Sequence, residues 1–416
     1  MAPALLGPTL TASCLTCAYA FPLAAETYRV GLPTRCPNCG GLCGVPSELR
    51  PGQTVQLERL ADLSDVQRWD LIAFRHQPSH STQVKRVWGL PGEVVELRHG
   101  EAWIDGIMLR KSLAELRQVA VPVYELSRGG AGQWWCSEPA GEPAPVATKF
   151  AAGSLRVLAG QRLHLGHVRP APVHPADVSA AQWQSASPVV DDYPINQGLS
   201  IQQHIVKDGL IWLQLQRPLR SGLRIGVRVA ASDGERVLHV LFEAPQASFR
   251  SHASPELQIA REREAVEADF TMAAHQRIEM GWCDGRLLLK TDLQSRVVGA
   301  EELRSLPTAA QGLDPEWALH EICRLETSRA VDIDLFGFAR DLYLISADGQ
   351  AGEGGPAANE HGHAAASLLD GFYVLGDNLP ASQDSRQKLG RVRPVHVLGR
   401  IVASSANKPN EMRIED

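Results

Sequence analysis

Val84-Lys85-Arg86-Val87-Trp88-Gly89-Leu90-Pro91-Gly92-Glu93 sets one lysine inside an apolar run and ends that run in a Pro-Gly turn. A strand alternates its side chains with period two, so Lys85 and Arg86 face opposite ways. The flanking segments repeat the strand signal: Asp70-Leu71-Ile72-Ala73-Phe74 before it, then Val94-Val95-Glu96-Leu97 and Ala102-Trp103-Ile104 around Gly100. Strands separated by such short turns predict an antiparallel, mainly β platform. Far downstream, Tyr373-Val374-Leu375-Gly376-Asp377-Asn378 reads as another strand running into a tight turn, followed by Ser382-Gln383-Asp384-Ser385-Arg386 and Gly390-Arg391-Val392. Asp384 and Arg386, two residues apart in an extended segment, share a face. Taken alone, Lys85 is an edge-strand lysine with its head in water, and Asp384 and Arg386 are a solvated turn pair.

The two stretches together resemble the signal peptidase I family. The resemblance implies a serine endopeptidase with a Ser-Lys dyad, in which Lys85 takes the catalytic lysine position. Ser382 then orients the lysine amine, Asp384 and Arg386 support the wall beside it as an ion pair, and the Gly376-Asp377 turn brings backbone under the site. A lysine acts as a base only when neutral, so its usual pKa of ~10.4 must fall by several units, which burial among Val84 and Val87 favours. Arg86 adds a cation expected to push the same way. The sequence departs from the family at three places: Trp69 replaces a glycine in Arg68-Trp69-Asp70, Glu93 replaces an aspartate, and Leu379-Pro380-Ala381 stands where arginine, aspartate and asparagine are usual.

The family's nucleophile lies in a Ser-Met-x-Pro-Thr-Leu segment, which Met1-Ala2-Pro3-Ala4-Leu5-Leu6 matches from its methionine onward except for Ala4. That register puts the serine directly before Met1, as if translation had been assigned to start too late and had removed an anchor along with it. A second register, on Leu6-Gly7-Pro8-Thr9-Leu10, puts Leu5 at the serine. The resemblance further implies signal peptides of exported proteins as substrates, shallow apolar pockets lined by Met1, Leu5 and Val84, and a membrane-anchored enzyme acting on the extracytoplasmic face. No run approaches the ~20 apolar residues that span a bilayer, so the chain itself reads as soluble. The alternative is a catalytically inactive scaffold acting as a binding protein.

Five of the eight cysteines crowd between Cys14 and Cys43. Cys14-Leu15-Thr16-Cys17 and Cys36-Pro37-Asn38-Cys39 are two C-x2-C knuckles, and four thiolates at that spacing suit a closed tetrahedral zinc site. Zinc held by Cys14, Cys17, Cys36 and Cys39 would be structural, with Cys43 as a substitute ligand; redox-sensitive thiols or disulfides are the competing reading. Cys136, Cys283 and Cys323 read as buried thiols.

The 416 residues carry a formal net charge of -6, with basic residues spread thinly, which argues against nucleic acid as a partner. They divide into a nucleophile remnant (1–10), a zinc ribbon (11–48), the first half of the platform (49–110), an irregular insertion (111–190), a β-sandwich insertion (191–346), a Gly- and Ala-rich flexible linker (347–368) and the second half of the platform (369–416). In the sandwich, strand-like runs at 211–215, 223–229, 237–241, 257–259, 266–272 and 286–289 alternate with turn signals such as Asp284-Gly285. The expected fold is therefore a signal-peptidase-like antiparallel platform split by a lectin-like or jelly-roll sandwich, which would take a carbohydrate or protein ligand.

Overall fold

A computed structural model describes residues 5–37, 41–44, 46, 48–75, 81–128, 135–138, 144–145, 154–166, 188–197, 204–231, 234–244, 257–262, 265–305, 321–345, 370–387 and 389–404. The protein is mainly β, with 49% strand against 10% helix in several antiparallel sheets.

One five-stranded sheet joins the two distant motifs. Its order is Tyr373–Leu375, Thr82–Gly89, Leu71–Arg75, Val397–Ser404, Val55–Glu58. The Lys85 strand lies inside this sheet, with Ile72 opposite Lys85 on one side and Leu375 opposite Arg86 on the other. Ile72, Phe74, Val87, Phe372, Val374 and Val392 form one buried cluster against it, and Trp69, Trp88, Leu97, Leu342, Leu375 and Leu379 form another. Segments some 290 residues apart in sequence are thus fused by shared apolar burial and a hydrogen-bonded ladder.

Two of the family departures acquire a physical account. Trp69 adopts φ 76°, a left-handed backbone that glycine takes freely and a bulky residue resists. Its ring offsets that strain by packing edge-on to Trp88, with centroids 4.7 Å apart, and its indole N–H donates to Glu115 Oε1 at 2.7 Å. Glu93 closes the Leu90-Pro91-Gly92-Glu93 turn, accepting from the Leu90 N–H and from Arg68, both at 2.7 Å. Gly92, at φ 89°, supplies the positive dihedral that this turn requires.

Between the platform halves, two larger sheets enclose one core. A seven-stranded sheet contains Val121–Glu125, Leu155–Val157, Gly209–Leu215, Arg277–Cys283, Arg286–Thr291, Ser295–Val298 and Val331–Arg340. The facing eight-stranded sheet includes Arg162–Gly166, Leu223–Ala231, Gly234–Glu243, Ala265–Ala273 and Glu321–Thr327. Leu213, Ile278, Met280 and Phe336 of the first meet Ile225, Val240, Phe242 and Phe270 of the second in a single buried cluster. Segment 111–190, expected to be irregular, instead contributes the helix Leu113–Val119 and five strands to this structure. Those strands are two to five residues long, too short for periodicity to register between prolines and glycines. Leu344 bridges back to Gly100 on the platform hairpin. The expected linker at 347–368 lies outside the described residues.

Near the amino terminus, Thr9–Ser13 pairs with Ala20–Ala24 and Leu49–Arg50 in a three-stranded sheet. Bridges from Cys14 to Cys43 and from Arg35 to Leu42 extend it into the cysteine-bearing turns.

Candidate active site

Lys85 Nζ donates to Ser382 Oγ at 2.9 Å. The pair is possible because residue 376 has no side chain. A Cβ built on Gly376 would sit 2.7 Å from Ser382 Cβ, closer still to its Oγ, and 3.3 Å from Lys85 Nζ. Burial holds the Lys85 amine below the usual lysine range; Asp384 opposes this, while Arg386 reinforces it. The cation that acts on Lys85 is therefore Arg386. Arg86, expected to do so, is engaged elsewhere: its guanidinium forks onto Asp377, Nε to Oδ1 and an NH2 nitrogen to Oδ2, each at 2.9 Å, and also donates to the Trp69 carbonyl.

Asp384 and Arg386 are buried, not solvated. Arg386 donates to both Asp384 oxygens at 2.8 and 2.9 Å and to the carbonyls of Leu379 and Ile345. Asp384 also accepts from the Gly376 N–H at 3.1 Å, so the ion pair fixes the same glycine that makes room for Ser382. A buried pair with every polar atom engaged costs far more to break than an exposed one. Leu379-Pro380-Ala381 forms a short 3-10 turn whose Leu379 is buried and whose carbonyl receives Arg386. The departure from the family's residues leaves the wall intact. Ser385 completes it by accepting from the Val374 N–H and donating to the Gly390 carbonyl.

The expected pocket residues are less closely assembled. Met1 lies outside the described residues. Leu5 is half-buried, in a segment held to the platform by Leu6 and Gln53, which exchange two hydrogen bonds of 2.9 Å. Strand alternation turns Val84 to the face opposite Lys85.

In the amino-terminal sheet, ligand atoms of Cys14, Cys17 and Cys36 all lie within 4.8 Å of one another. Cys17 Sγ and Cys36 Sγ are 3.7 Å apart, well beyond the ~2.05 Å of a disulfide. The amides of Thr16 and Cys17 donate toward Cys14 Sγ from 3.4 and 3.5 Å. Burial, then the nearness of Cys14 and Cys17, pushes Cys43 up to about 12. Three sulfur ligand atoms this close together could hold a metal ion. Cys39 lies outside the described residues. Cys283 and Cys323 are buried free thiols.

Sequence reading missed a second buried polar cluster. Lys111 Nζ lies 2.7 Å from Asp284, 3.1 Å from Asp341 and 3.7 Å from Glu101, while Asp208 accepts from the Asp284 N–H at 2.9 Å. Burial works against the Lys111 charge, yet the surrounding carboxylates together hold its ammonium well above the usual range. The sequence signals only an Asp284-Gly285 turn. In the structure Asp284 adopts φ 51°, and its carboxylate ties that hairpin to the segment leaving the platform by accepting from the Lys111 N–H at 2.7 Å.

A family model described as "Signal peptidase, peptidase S26" matches residues 45–132, the segment that carries Lys85. No curated protein and no solved structure matches the chain. The match supports a signal-peptidase relationship for residues 45–132 and suggests a peptidase-like activity by resemblance. Among the described residues, no helix is long and apolar enough to cross a membrane.

Proposed function

We propose that this chain is a serine endopeptidase of the signal peptidase type, using a Ser-Lys dyad to cleave signal peptides from exported proteins. The observation that carries this reading is the 2.9 Å contact of a half-buried Lys85 amine with Ser382, at the meeting point of both motifs. Lys85 is the general base. With one N–H donated to Ser382, the lone pair of the neutral amine is left free to take a proton from a serine hydroxyl brought to the site. The resemblance implies that this serine opens a Ser-Met-x-Pro-Thr-Leu segment, which Met1-Ala2-Pro3-Ala4-Leu5-Leu6 matches from its methionine onward except for Ala4. Asp377 matches the Arg86 charge and Asp384 matches that of Arg386, so two guanidinium groups support the site while the base stays neutral.

Small residues before the scissile bond would fit shallow apolar pockets at Met1 and Leu5, as expected for signal peptides. The work would take place on the extracytoplasmic face of a membrane. A structural zinc in the ribbon would be held by Cys14, Cys17, Cys36 and Cys39, with Cys43 adjacent. The inserted double sheet would hold a carbohydrate or protein ligand.

The test places a serine codon directly ahead of Met1 and assays cleavage of a peptide bearing small residues at the first and third positions before the cut. Cleavage that disappears when that serine is alanine, and again in Lys85→Ala, supports the proposal. Absence of cleavage in folded protein carrying both groups points instead to a binding scaffold.

A further inference from the structure

A five-residue turn of the insertion reaches the wall of the active site. Asn196, 1% exposed, exchanges two hydrogen bonds with Asn378: its Nδ2 donates to Asn378 Oδ1 at 2.8 Å, and Asn378 Nδ2 donates back to Asn196 Oδ1 at 2.7 Å. Asn378 follows Asp377, the partner of Arg86, and caps the 3-10 turn that delivers Ser382 to Lys85. The next residue, Gln197, turns the other way. Its side chain donates to the carbonyls of Arg29 and Leu32 and to Thr34 Oγ1, and accepts from the Arg29 N–H at 2.8 Å. The loop it grips ends two residues before Cys36.

The turn is held rigidly. Asp191 accepts from the His204 N–H at 2.7 Å and meets its ring nitrogen at 3.0 Å. Arg340 donates to the Asp192 carbonyl at 2.9 Å, and its guanidinium lies 4.8 Å from the centre of the Tyr193 ring. Gln197 itself has φ 55°, an unfavourable left-handed backbone for a residue with a Cβ. Such a conformation persists only where the surroundings over-determine it, and here it lets two adjacent amides face two different parts of the chain.

We infer that the Tyr193–Gln197 turn is a positioning element for the Lys85–Ser382 pair, with Asn196 holding the wall turn and Gln197 fastening the same turn to the cysteine-bearing loop. Its value depends on the peptidase reading, because only a neutral base needs Ser382 and its wall held so closely. The charged groups that act on the amine are Asp384, Arg386 and Asp377, and each is already paired, Asp384 with Arg386 and Asp377 with Arg86. Asn196 can therefore fix their geometry without adding charge. Loosening the Asn378 turn would move Ser382 off Lys85 and admit water, raising the lysine toward its ordinary value.

The test is competitive labelling of amines across pH, read at Lys85 by mass spectrometry, in the protein as it stands and in Asn196→Ala. Lys111, buried and held well above the ordinary lysine range by its carboxylates, serves as the internal control for folding, because unfolding would return it to ordinary reactivity. The expected result is a depressed Lys85 titration in the unaltered protein that moves up by about one unit in Asn196→Ala while Lys111 stays protected. Asn378→Ala removes the same amide pair from the other side and covers the case in which Asn196→Ala does not fold. Gln197→Gly, which relieves the left-handed strain but releases the loop, should raise Lys85 and speed amide exchange at residues 29–34. A depressed Lys85 left unmoved by the Asn196 and Asn378 substitutions overturns the positioning role alone. An ordinary Lys85 titration in the unaltered protein overturns both that role and the peptidase reading beneath it.

Discussion

Gly376→Ala puts a single methyl group into the tightest point of the site. The added carbon would stand 2.7 Å from Ser382 Cβ and 3.3 Å from Lys85 Nζ, where ordinary carbon contacts need ~3.5 to 4.0 Å. Ser382 must retreat by about an ångström, because the other side of Gly376 is fixed through its N–H to the buried Asp384. Two costs follow. Overpacking of a rigid site is worth about 1 to 3 kcal/mol, and loss of the Lys85–Ser382 hydrogen bond adds ~0.5 to 1.5 kcal/mol. A destabilisation of about 2 to 4 kcal/mol should appear as a lower urea midpoint at unchanged slope. Lys85, no longer held by Ser382 and opened to water, should titrate higher and so lose reactivity toward amine reagents at low pH. The control is Ser382→Gly, which removes both the opposing hydroxyl and the Cβ; Gly376→Ala on that background should cost markedly less. Equal cost in both backgrounds, or a Gly376→Ala protein as stable as the parent, would refute the claim that glycine is required there to seat Ser382.

Lys111→Met leaves Asp284, Asp341, Glu101 and Asp208 without their central ammonium, and should destabilise the protein by about 3 to 5 kcal/mol in urea unfolding. In the same cluster, burial and then the Asp341 charge raise Asp208 to about 7. The folded state thus keeps a proton that the unfolded chain releases, so this contribution is complete below the ordinary carboxylate range and fades as pH rises through about 7. Urea midpoints that fall between about pH 5 and 8, with the slope flattened in Asp208→Asn, would bear this out. Trp69→Gly restores the glycine usual in the family and relieves about 1 kcal/mol of backbone strain, but it removes a buried indole worth ~3 to 5 kcal/mol, so net destabilisation by thermal melting is expected.

The strands of the platform and the placement of its polar residues were legible because their signals are local. Period-two alternation around Lys85, the Pro-Gly turn at Leu90–Glu93 and the spacing of Asp384 and Arg386 each depend on a few neighbouring residues. What sequence could not convey is which distant partner each charge takes. Arg86 reads as a free cation beside Lys85 until Asp377, far along the chain, is folded against it. Asp284 reads as a turn residue until Lys111 reaches it. Trp69 reads as a fault in a glycine position, because neither its packing on Trp88 nor its bond to Glu115 has a sequence pattern. The short strands within 111–190 went unseen for a different reason: three of the five pair with residues 321–340 far along the chain, and the other two build onto one of those three.

Central to the account is a lysine held neutral by burial and oriented by Ser382. Carbon-13 resonances of the Lys85 side chain, followed through a pH titration in the intact protein and in Ser382→Ala, measure that state directly. The account predicts a midpoint clearly below the ~10.4 of an ordinary lysine, with altered Lys85 shifts in Ser382→Ala. A Lys85 that titrates with the surface lysines and ignores the loss of Ser382 would contradict it.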